Sequence, residues 1–204
     1  FLATAADRRG FSGQSDAEYY KNAVLQKKAL IAKLNKANYD KVASNENVEV
    51  LDGLASFKDE HTVQVTNGSE VSEVYAERIF VNTGARPFIP SVPGLEVGRR
   101  IHTSETLMDL EEFPKSLAIL GSGFIGLEFA ASYAKFGTKV TIIDQGDRIL
   151  PREDEDVAKE VFSSYQAMGV DFLFHAALNQ VSQDEKAVHL SYTVNGEKKE
   201  LSVE

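Results

Sequence analysis

Cysteine and tryptophan are both absent from this chain of 204 residues. Without cysteine, the chain can form neither a disulfide nor a thiolate zinc site, which excludes a disulfide-stapled secreted scaffold and a zinc finger. Basic residues are also few, because 22 Lys and Arg stand against 31 Asp and Glu, for a formal net charge of −9. That balance leaves no basic field for nucleic acid or for an anionic membrane.

Long apolar runs and metal-ligand spacings are missing as well. No stretch approaches the roughly 20 apolar residues that cross a bilayer. The opening FLATAADRRG lacks the basic and apolar regions of a signal peptide, so we expect a cytoplasmic protein. The histidines are scattered without the spacing of a ligand set, and we expect no metal site: His61, His102, His175 and His189.

The most informative segment is residues 116–144, which read SLAILGSGFIGLEFAASYAKFGTKVTIID. An apolar run at 117–120 predicts a buried strand, residues 124–136 predict a helix, and 139–143 predict a second strand. Three glycines between the first strand and the helix form a G-x-G-x-x-G pattern: Gly121, Gly123 and Gly126. This strand–turn–helix context distinguishes a dinucleotide-binding fingerprint from a chance cluster of glycines.

Each glycine has a separate role in such a turn. Gly121 permits the tight turn, Gly123 lets the main chain approach a pyrophosphate, and Gly126 lets the helix pack closely against the strand. The helix N-terminus offers N–H groups and the positive end of its dipole to the phosphates. Asp144, at the end of the second strand, would accept hydrogen bonds from both ribose hydroxyls and repel a 2′-phosphate, which predicts NAD(H). Arg148 is the nearest cation and the one feature that favours NADP.

The rest of the chain predicts a long helix, short strands and two smaller helices. Apolar residues at helical spacing predict an amphipathic helix over 16–43, whose lysines form a solvated face. Short β-type segments separated by turn residues predict an antiparallel meander: 48–51, 55–57, 62–65 and 71–75. Further strands are predicted at 76–82, 170–174, 188–194 and 198–203, and further helices at 104–112 and 153–168. The last two strands flank Asn195-Gly196, a hairpin signal.

Several segments together resemble the pyridine nucleotide-disulfide oxidoreductases, the FAD flavoproteins that include lipoamide dehydrogenase, glutathione reductase and mercuric reductase. Residues 50–57, VLDGLASF, resemble the family's G-x-A-x-F strand, and residues 80–87, FVNTGARP, resemble its ATG motif. Residues 121–128, GSGFIGLE, and 147–154, DRILPRED, resemble its NAD-domain signatures. The resemblance spans nearly the whole chain, and its details look most like the mercuric-reductase-like branch that includes hypothiocyanite reductases.

The resemblance implies an α/β fold in two parts. Residues 1–113 would be a partial FAD-binding domain, made of the long helix, the β-meander and a connector. Residues 114–204 would be a Rossmann-like NAD(P)-binding domain with a parallel sheet, incomplete at its C-terminus. The family's FAD-binding glycine turn, its C-x4-C redox pair and its C-terminal interface domain have no counterpart in these residues. The chain is therefore expected to be an internal segment, truncated at both ends.

The resemblance also assigns roles residue by residue. Six residues would line the NAD pyrophosphate turn: Gly121, Ser122, Gly123, Phe124, Ile125 and Gly126. Asp144 would hold the adenosine ribose, and Val181 would contact the adenine through its backbone. Ala55 would meet the adenine of the flavin cofactor through main-chain hydrogen bonds, and Thr83 and Gly84 would lie against the FAD.

Glu128 is the predicted catalytic residue. In the family, the carboxylate at this position pairs with a lysine beside flavin N5, where hydride arrives, and that lysine would lie just before Phe1. We expect Glu128 in the first turn of the phosphate-binding helix, and the alternative is a helix-surface acid.

In the enzymes that the chain resembles, NADH passes hydride to the flavin, the reduced flavin reduces a disulfide, and the dithiol reduces a small-molecule or disulfide substrate. The expected cofactors are FAD and NAD(H), with NADP less favoured. The complete enzyme would be a homodimer, and this segment alone is expected to be inactive. Two alternatives stay open: a cysteine-free NADH-dependent flavin oxidase or ferredoxin reductase, and a non-catalytic NAD(H)-binding module.

Overall fold

Residues 16–204 are described by a computed structural model, in which four helices and nine strands build an α/β fold. The described chain divides into two units, one formed by residues 16–26 with 87–204 and the other by residues 27–86. The FLATAADRRG segment, from which a signal peptide is excluded, lies outside the described residues. Within residues 16–204, no helix is long and apolar enough to cross a membrane. The domain boundary expected between 113 and 114 stays a prediction.

The long helix and three of the four predicted meander strands lie where the sequence predicts them. Helix α1 spans Asp16–Ala43. Strands β1 (Leu54–Phe57), β2 (Thr62–Asn67) and β3 (Glu70–Tyr75) form an antiparallel sheet in the order β1-β2-β3. The β2–β3 turn contains Gly68 at φ 60°, a left-handed conformation that glycine adopts without steric cost.

Two strand predictions in this unit are wrong. Residues 48–51 and 76–82 have no regular structure. A β-type sequence becomes a strand only when a neighbouring strand pairs with its backbone over several residues, and no strand among residues 16–204 does so for these two segments. The N–H of Ala76 makes a single backbone hydrogen bond, to the carbonyl of His61 (2.9 Å). Phe80 and Val81 accordingly lie 89% and 67% exposed.

The larger unit contains the predicted strand–turn–helix arrangement. Parallel strands β4 (Ser116–Leu120), β5 (Lys139–Ile143) and β6 (Asp171–Leu173) are ordered β4-β5-β6. Helix α3 (Phe124–Lys135) connects the first pair, and helix α4 (Glu155–Ala167) connects the second. Both crossovers are the βαβ units that a parallel sheet requires.

A second antiparallel sheet follows, formed by β7 (Ala176–Gln183), β8 (Val188–Val194) and β9 (Glu197–Val203). The Asn195-Gly196 hairpin is confirmed, with φ of 52° and 83° at its two central residues. Strand β7 was not predicted from the sequence. Its pairing with β8 shifts between Leu178 and Gln180, and this irregularity interrupts the period-two pattern that indicates a strand.

The parallel sheet packs between the helices and this second sheet. Val140 and Ile142 on β5 are fully buried in a cluster that includes residues of α3 and α4. Ile143 belongs instead to a second cluster, with Val181 and Leu190 of the antiparallel sheet. Alternate side chains of β5 therefore contribute to the hydrophobic clusters on both faces of the sheet, as expected for a buried parallel strand.

The helix predicted over 104–112 is shorter than expected. Helix α2 spans only Ser104–Leu107 and begins with a capping box between Thr103 and Thr106. Beyond it, the carbonyl of Leu107 accepts the Tyr133 hydroxyl (3.1 Å). The carbonyl of Leu110 accepts the Tyr20 hydroxyl (2.9 Å). These tyrosines satisfy carbonyls at the end of the helix, where backbone acceptors lack intrahelical partners.

Candidate dinucleotide-binding site

The glycine turn is fixed to the end of the central strand. Gly121 has φ 98°, a conformation that L side chains rarely adopt. Its N–H donates to the carbonyl of Ile143 (2.9 Å), and the carbonyl of Ser122 accepts from the N–H of Leu150 (3.2 Å). The turn is therefore held from both sides before α3 begins.

Gly126 occupies a position with no space for a side chain. A Cβ atom there would overlap the carbonyl oxygen of Gly121 and lie 3.3 Å from Cγ2 of Ile119. Helix α3 thus approaches the turn so closely that only glycine fits, which is the role expected of the third glycine.

Gly123 is in open space by contrast. It is the N-cap of α3, with an ordinary φ of −78°, and a Cβ built on it meets nothing within 4 Å. Gly123 provides no side-chain cap for the first turn of α3. Phe124 and Ile125 follow, 60% and 61% exposed. An uncapped helix N-terminus beside open space is suited to bind a phosphate through backbone N–H groups.

Asp144 lies beside this turn and accepts three hydrogen bonds. Its Oδ2 accepts from both the backbone N–H and the hydroxyl of Ser122, each at 2.6 Å. Its Oδ1 accepts from the N–H of Gly146 at 2.7 Å. The acid at the end of β5 is thereby fixed against the glycine turn.

Burial is the largest influence on the Asp144 carboxyl and by itself raises its pKa. The hydrogen bonds from Ser122 and Gly146 together outweigh burial, so the pKa of Asp144 lies below its ordinary value. Asp144 is therefore an ionised, acceptor-only group at neutral pH.

Arg148 does not face this carboxylate. Its guanidinium donates to the carbonyl of Pro151 (3.0 Å) and to the carbonyl of Glu153 (3.3 Å from each terminal nitrogen). The cation that could have favoured a 2′-phosphate is thus used to hold the loop before α4.

Val181 lies in β7 with its side chain buried. Its N–H donates to the carbonyl of Pro93 (2.9 Å), and a Cβ on Gly94 would overlap the Val181 carbonyl oxygen. The amide predicted to meet adenine is therefore already used within the protein, and the adenine contact stays a prediction.

The residues expected near FAD all lie in the unit of residues 27–86. Ala55 is exposed on β1, an edge strand, so one edge of its strand has no partner among the described strands. Thr83 and Gly84 are exposed, and Gly84 has φ 75° with no atom within 4 Å of a built Cβ. The main chain at these positions is open to a ligand, but the chain contains no second G-x-G-x-x-G turn.

Glu128 is exposed on α3, and its expected position is wrong by one turn. The first turn of the helix contains no acid, because Glu128 is the fifth residue of a helix that starts at Phe124. Burial first and the charge of Glu128 second raise the pKa of Tyr165, which places the carboxylate near α4. Its own carbonyl accepts the Ser132 hydroxyl (2.9 Å).

The sequence indicated the glycines and the acid but not the contacts between them. The Ser122 hydroxyl and the Gly146 N–H hold Asp144 in place, but no sequence motif predicted these two contacts. A small polar residue between two fingerprint glycines, facing an acid after the next strand, is the signal that could have predicted them. No group of three His, Asp or Glu residues suited to a metal occurs in residues 16–204.

These features define a Rossmann-type dinucleotide-binding unit. The sequence pattern of the pyridine nucleotide-disulphide oxidoreductase family matches residues 2–204. The chain belongs to this family.

Individual relatives are consistent with the family match. The chain is 35% identical over 182 residues to a probable pyridine nucleotide-disulfide oxidoreductase, RclA, of Escherichia coli, covering 89% of this chain and 40% of that protein. It is 31% identical over 181 residues to dihydrolipoyl dehydrogenase of Geobacillus stearothermophilus, covering 89% and 38%. Mercuric reductase of Lysinibacillus sphaericus is also 31% identical, over 173 residues, covering 85% and 31%.

Solved structures show the same fold. The HOCl-induced flavoprotein disulfide reductase RclA from Escherichia coli superimposes with a TM-score of 0.83 at 32% identity, over 99% of this chain and 43% of that one. LpdA from Mycobacterium tuberculosis gives a TM-score of 0.80 at 28% identity, over 98% and 44%. The chain thus spans less than half the length of the relatives it matches.

Proposed function

We propose that this chain supplies the NAD(H)-binding part of a flavin-dependent disulfide oxidoreductase. The family membership supports the reaction class. The observation that supports the nucleotide site is the turn itself, where Gly123 leaves open space in front of an uncapped helix and Asp144 lies ionised beside it.

The chain's own residues would bind and orient the nucleotide. Backbone N–H groups of Gly123, Phe124 and Ile125 would donate to the pyrophosphate. Asp144 would accept a hydrogen bond from the adenosine ribose, and Gly121 and Gly126 would keep the turn and the helix in place. NADH is favoured over NADPH because Arg148 donates to loop carbonyls and leaves the carboxylate unneutralised.

FAD fits the described residues only in part. Ala55, Thr83 and Gly84 offer exposed main-chain positions, and a bound flavin would supply the hydride acceptor and the transfer of two electrons to a disulfide. In the complete enzyme, Glu128, exposed on the nucleotide helix, would pair with the family's lysine near that flavin. Because no phosphate-binding turn accompanies these positions, we expect the 204-residue chain to bind FAD weakly and to lack disulfide reductase turnover.

The family match favours this function over the cysteine-free flavin oxidase and over the NAD(H) sensor. A cytoplasmic location, a homodimeric complete enzyme and a small-molecule or disulfide substrate remain proposals based on the resemblance.

Calorimetric titration of the 204-residue chain with NADH, NADPH and FAD tests the proposal. NADH should bind more tightly than NADPH, and Asp144→Asn should weaken NADH binding by about tenfold or more, since a charged acceptor of a hydroxyl is lost. NADH oxidation in the presence of a disulfide should stay at the rate of the buffer control. Failure of NADH to bind, or turnover at an enzyme-like rate, would contradict the proposal.

A further inference from the structure

The contacts of Asp144 indicate how it selects its nucleotide. We propose that the Ser122 hydroxyl is a positioning group that leaves the Asp144 carboxylate a single open acceptor site, so that the acid takes one ribose hydroxyl and excludes a 2′-phosphate. This inference rests on the proposed function, because it concerns the same nucleotide site.

The open site follows from the acceptor capacity of a carboxylate. Its two oxygens offer about four lone-pair positions. On Asp144, Oδ2 already accepts two hydrogen bonds from Ser122, and Oδ1 accepts one from Gly146. Only one position, on Oδ1, remains. We therefore assign one ribose hydroxyl to this acid, where the sequence pattern predicts both.

The Ser122 hydroxyl has no competing partner of similar quality. Ser122 is only 1% exposed, which removes water as an alternative. The other acceptor within reach is the carbonyl of Arg148, at 3.5 Å against 2.6 Å to Asp144. A hydrogen bond at the longer distance is at the limit of the interaction, so the Ser122 hydroxyl donates to the Asp144 carboxylate.

Gly146 keeps the remaining position accessible. A Cβ on Gly146 would lie 3.1 Å from Oδ1 of Asp144, close enough to crowd the oxygen that holds the free lone pair. Gly146 therefore combines two functions, since its N–H fixes Oδ1 and its missing side chain leaves room for a ligand hydroxyl.

The same arrangement disfavours a 2′-phosphate. A carboxylate held by three donors cannot turn away from an approaching anion, and its negative charge persists at neutral pH. Arg148 donates to the carbonyls of Pro151 and Glu153, so it does not neutralise the pair of anions.

Ser122→Ala in the 204-residue chain tests the inference. The matched control is Ser132→Ala, which removes a hydroxyl from helix α3, where it donates to the Glu128 carbonyl (2.9 Å). With Ser122→Ala, NADH affinity should fall by about tenfold, the loss typical of a hydrogen bond to a charged group, while NADPH affinity changes less. The NADH-to-NADPH affinity ratio therefore falls, and Ser132→Ala leaves it unchanged.

The pH dependence separates positioning from loss of structure. Without the hydroxyl, the pKa of Asp144 rises, because one hydrogen bond that favours the ionised form is gone and burial remains. Binding of NAD⁺, which is stable in acid, should then weaken at a higher pH in Ser122→Ala than in the parent chain on titration from pH 7 to 4. Ser132→Ala should follow the parent curve.

Gly146→Ala provides an independent variant if Ser122→Ala folds poorly. It leaves the Ser122 contacts intact and should reduce NADH affinity by crowding Oδ1 alone. An unchanged affinity ratio and an unchanged acid limb in Ser122→Ala, or unchanged NADH affinity in Gly146→Ala, would overturn the inference while leaving the proposed function standing. Absence of NADH binding by the parent chain would instead refute the proposed function.

Discussion

Gly126→Ala should destabilise the fold clearly more than Gly123→Ala, three residues away. A methyl group on Gly126 would overlap the Gly121 carbonyl oxygen and press on Ile119, 3.3 Å away. The Gly121 carbonyl is part of the backbone, so it cannot move aside as the end of a flexible side chain would. A methyl group on Gly123 meets no atom within 4 Å.

The magnitude follows from two opposing effects at Gly126. Overpacking typically destabilises by about 1–3 kcal/mol, and a clash with a carbonyl oxygen belongs at the upper end. Alanine regains at most about 1 kcal/mol through its better helix propensity. We expect a net loss of about 2 kcal/mol in the free energy of unfolding, which for a chain of this length lowers Tm by about 4–8 °C.

The assay is thermal unfolding followed by far-ultraviolet circular dichroism, because a chain without tryptophan offers no indole fluorescence. Gly123→Ala is the control for stability and should lose at most about 1 kcal/mol, because alanine is a poorer N-cap residue than glycine. It should nevertheless bind NADH less well, since its methyl group fills the space in front of the helix. Equal losses of stability in the two variants would refute the assignment of close packing to Gly126.

Two other variants separate structural from binding roles. Tyr133→Phe removes a buried hydroxyl that contacts Leu107 and Tyr20, and should lower the free energy of unfolding by about 1–2 kcal/mol in urea denaturation. Burial first, and then the Tyr20 hydroxyl, raises the pKa of Tyr133. The stability that the neutral hydroxyl contributes is therefore complete below about pH 10, the ordinary pKa of tyrosine, and is lost as the pH rises further. Between about pH 9 and 11, the free energy of unfolding should fall less in Tyr133→Phe than in the parent chain. Arg148→Ala removes hydrogen bonds to two loop carbonyls and should lower Tm slightly, without changing the NADH-to-NADPH affinity ratio in calorimetry. A gain or loss of NADPH affinity in that variant would show that Arg148 does reach the nucleotide.

The sequence predicted the elements whose local pattern is complete. The fingerprint turn, α3 and β5 could be predicted because an apolar strand, three spaced glycines and a helical period occur together within 30 residues or so of chain. The bounds of α1 and the Asn195-Gly196 hairpin were equally local. In each of these elements, the backbone hydrogen bonds form within the element or with the element next to it in the sequence.

The errors fall where structure depends on distant partners. Residues 76–82 look like a strand but have no neighbouring strand among the described residues, and β7 has a neighbour but an irregular register that disguises its period. Helix α2 ends early, and the carbonyls of its last residue, Leu107, and of Leu110 beyond it accept hydrogen bonds from Tyr133 and Tyr20, on α3 and α1. None of these long-range contacts is visible in a local pattern.

The candidate site divides in the same way. Glycine positions and the acid at 144 are properties of the motif, so sequence alone located them. The number of free lone pairs on Asp144 depends on side-chain and backbone donors from two separate loops, and the orientation of Arg148 depends on carbonyls beyond it. The proposed selectivity for NADH over NADPH therefore depends on the folded site and could not be predicted in full from the motif.

The most direct test of the site is an NMR titration of the ¹⁵N-labelled 204-residue chain with NAD⁺. The amide signals of Gly123, Phe124 and Ile125 should shift most, together with that of Gly146, whose N–H donates to Asp144. The amide signals of β1 (Leu54–Phe57) should stay in place. Saturable shifts at the helix N-terminus that disappear in Gly123→Ala are the predicted result. Shifts confined to other parts of the chain, or no shifts at millimolar NAD⁺, would contradict the assignment of the nucleotide to this turn.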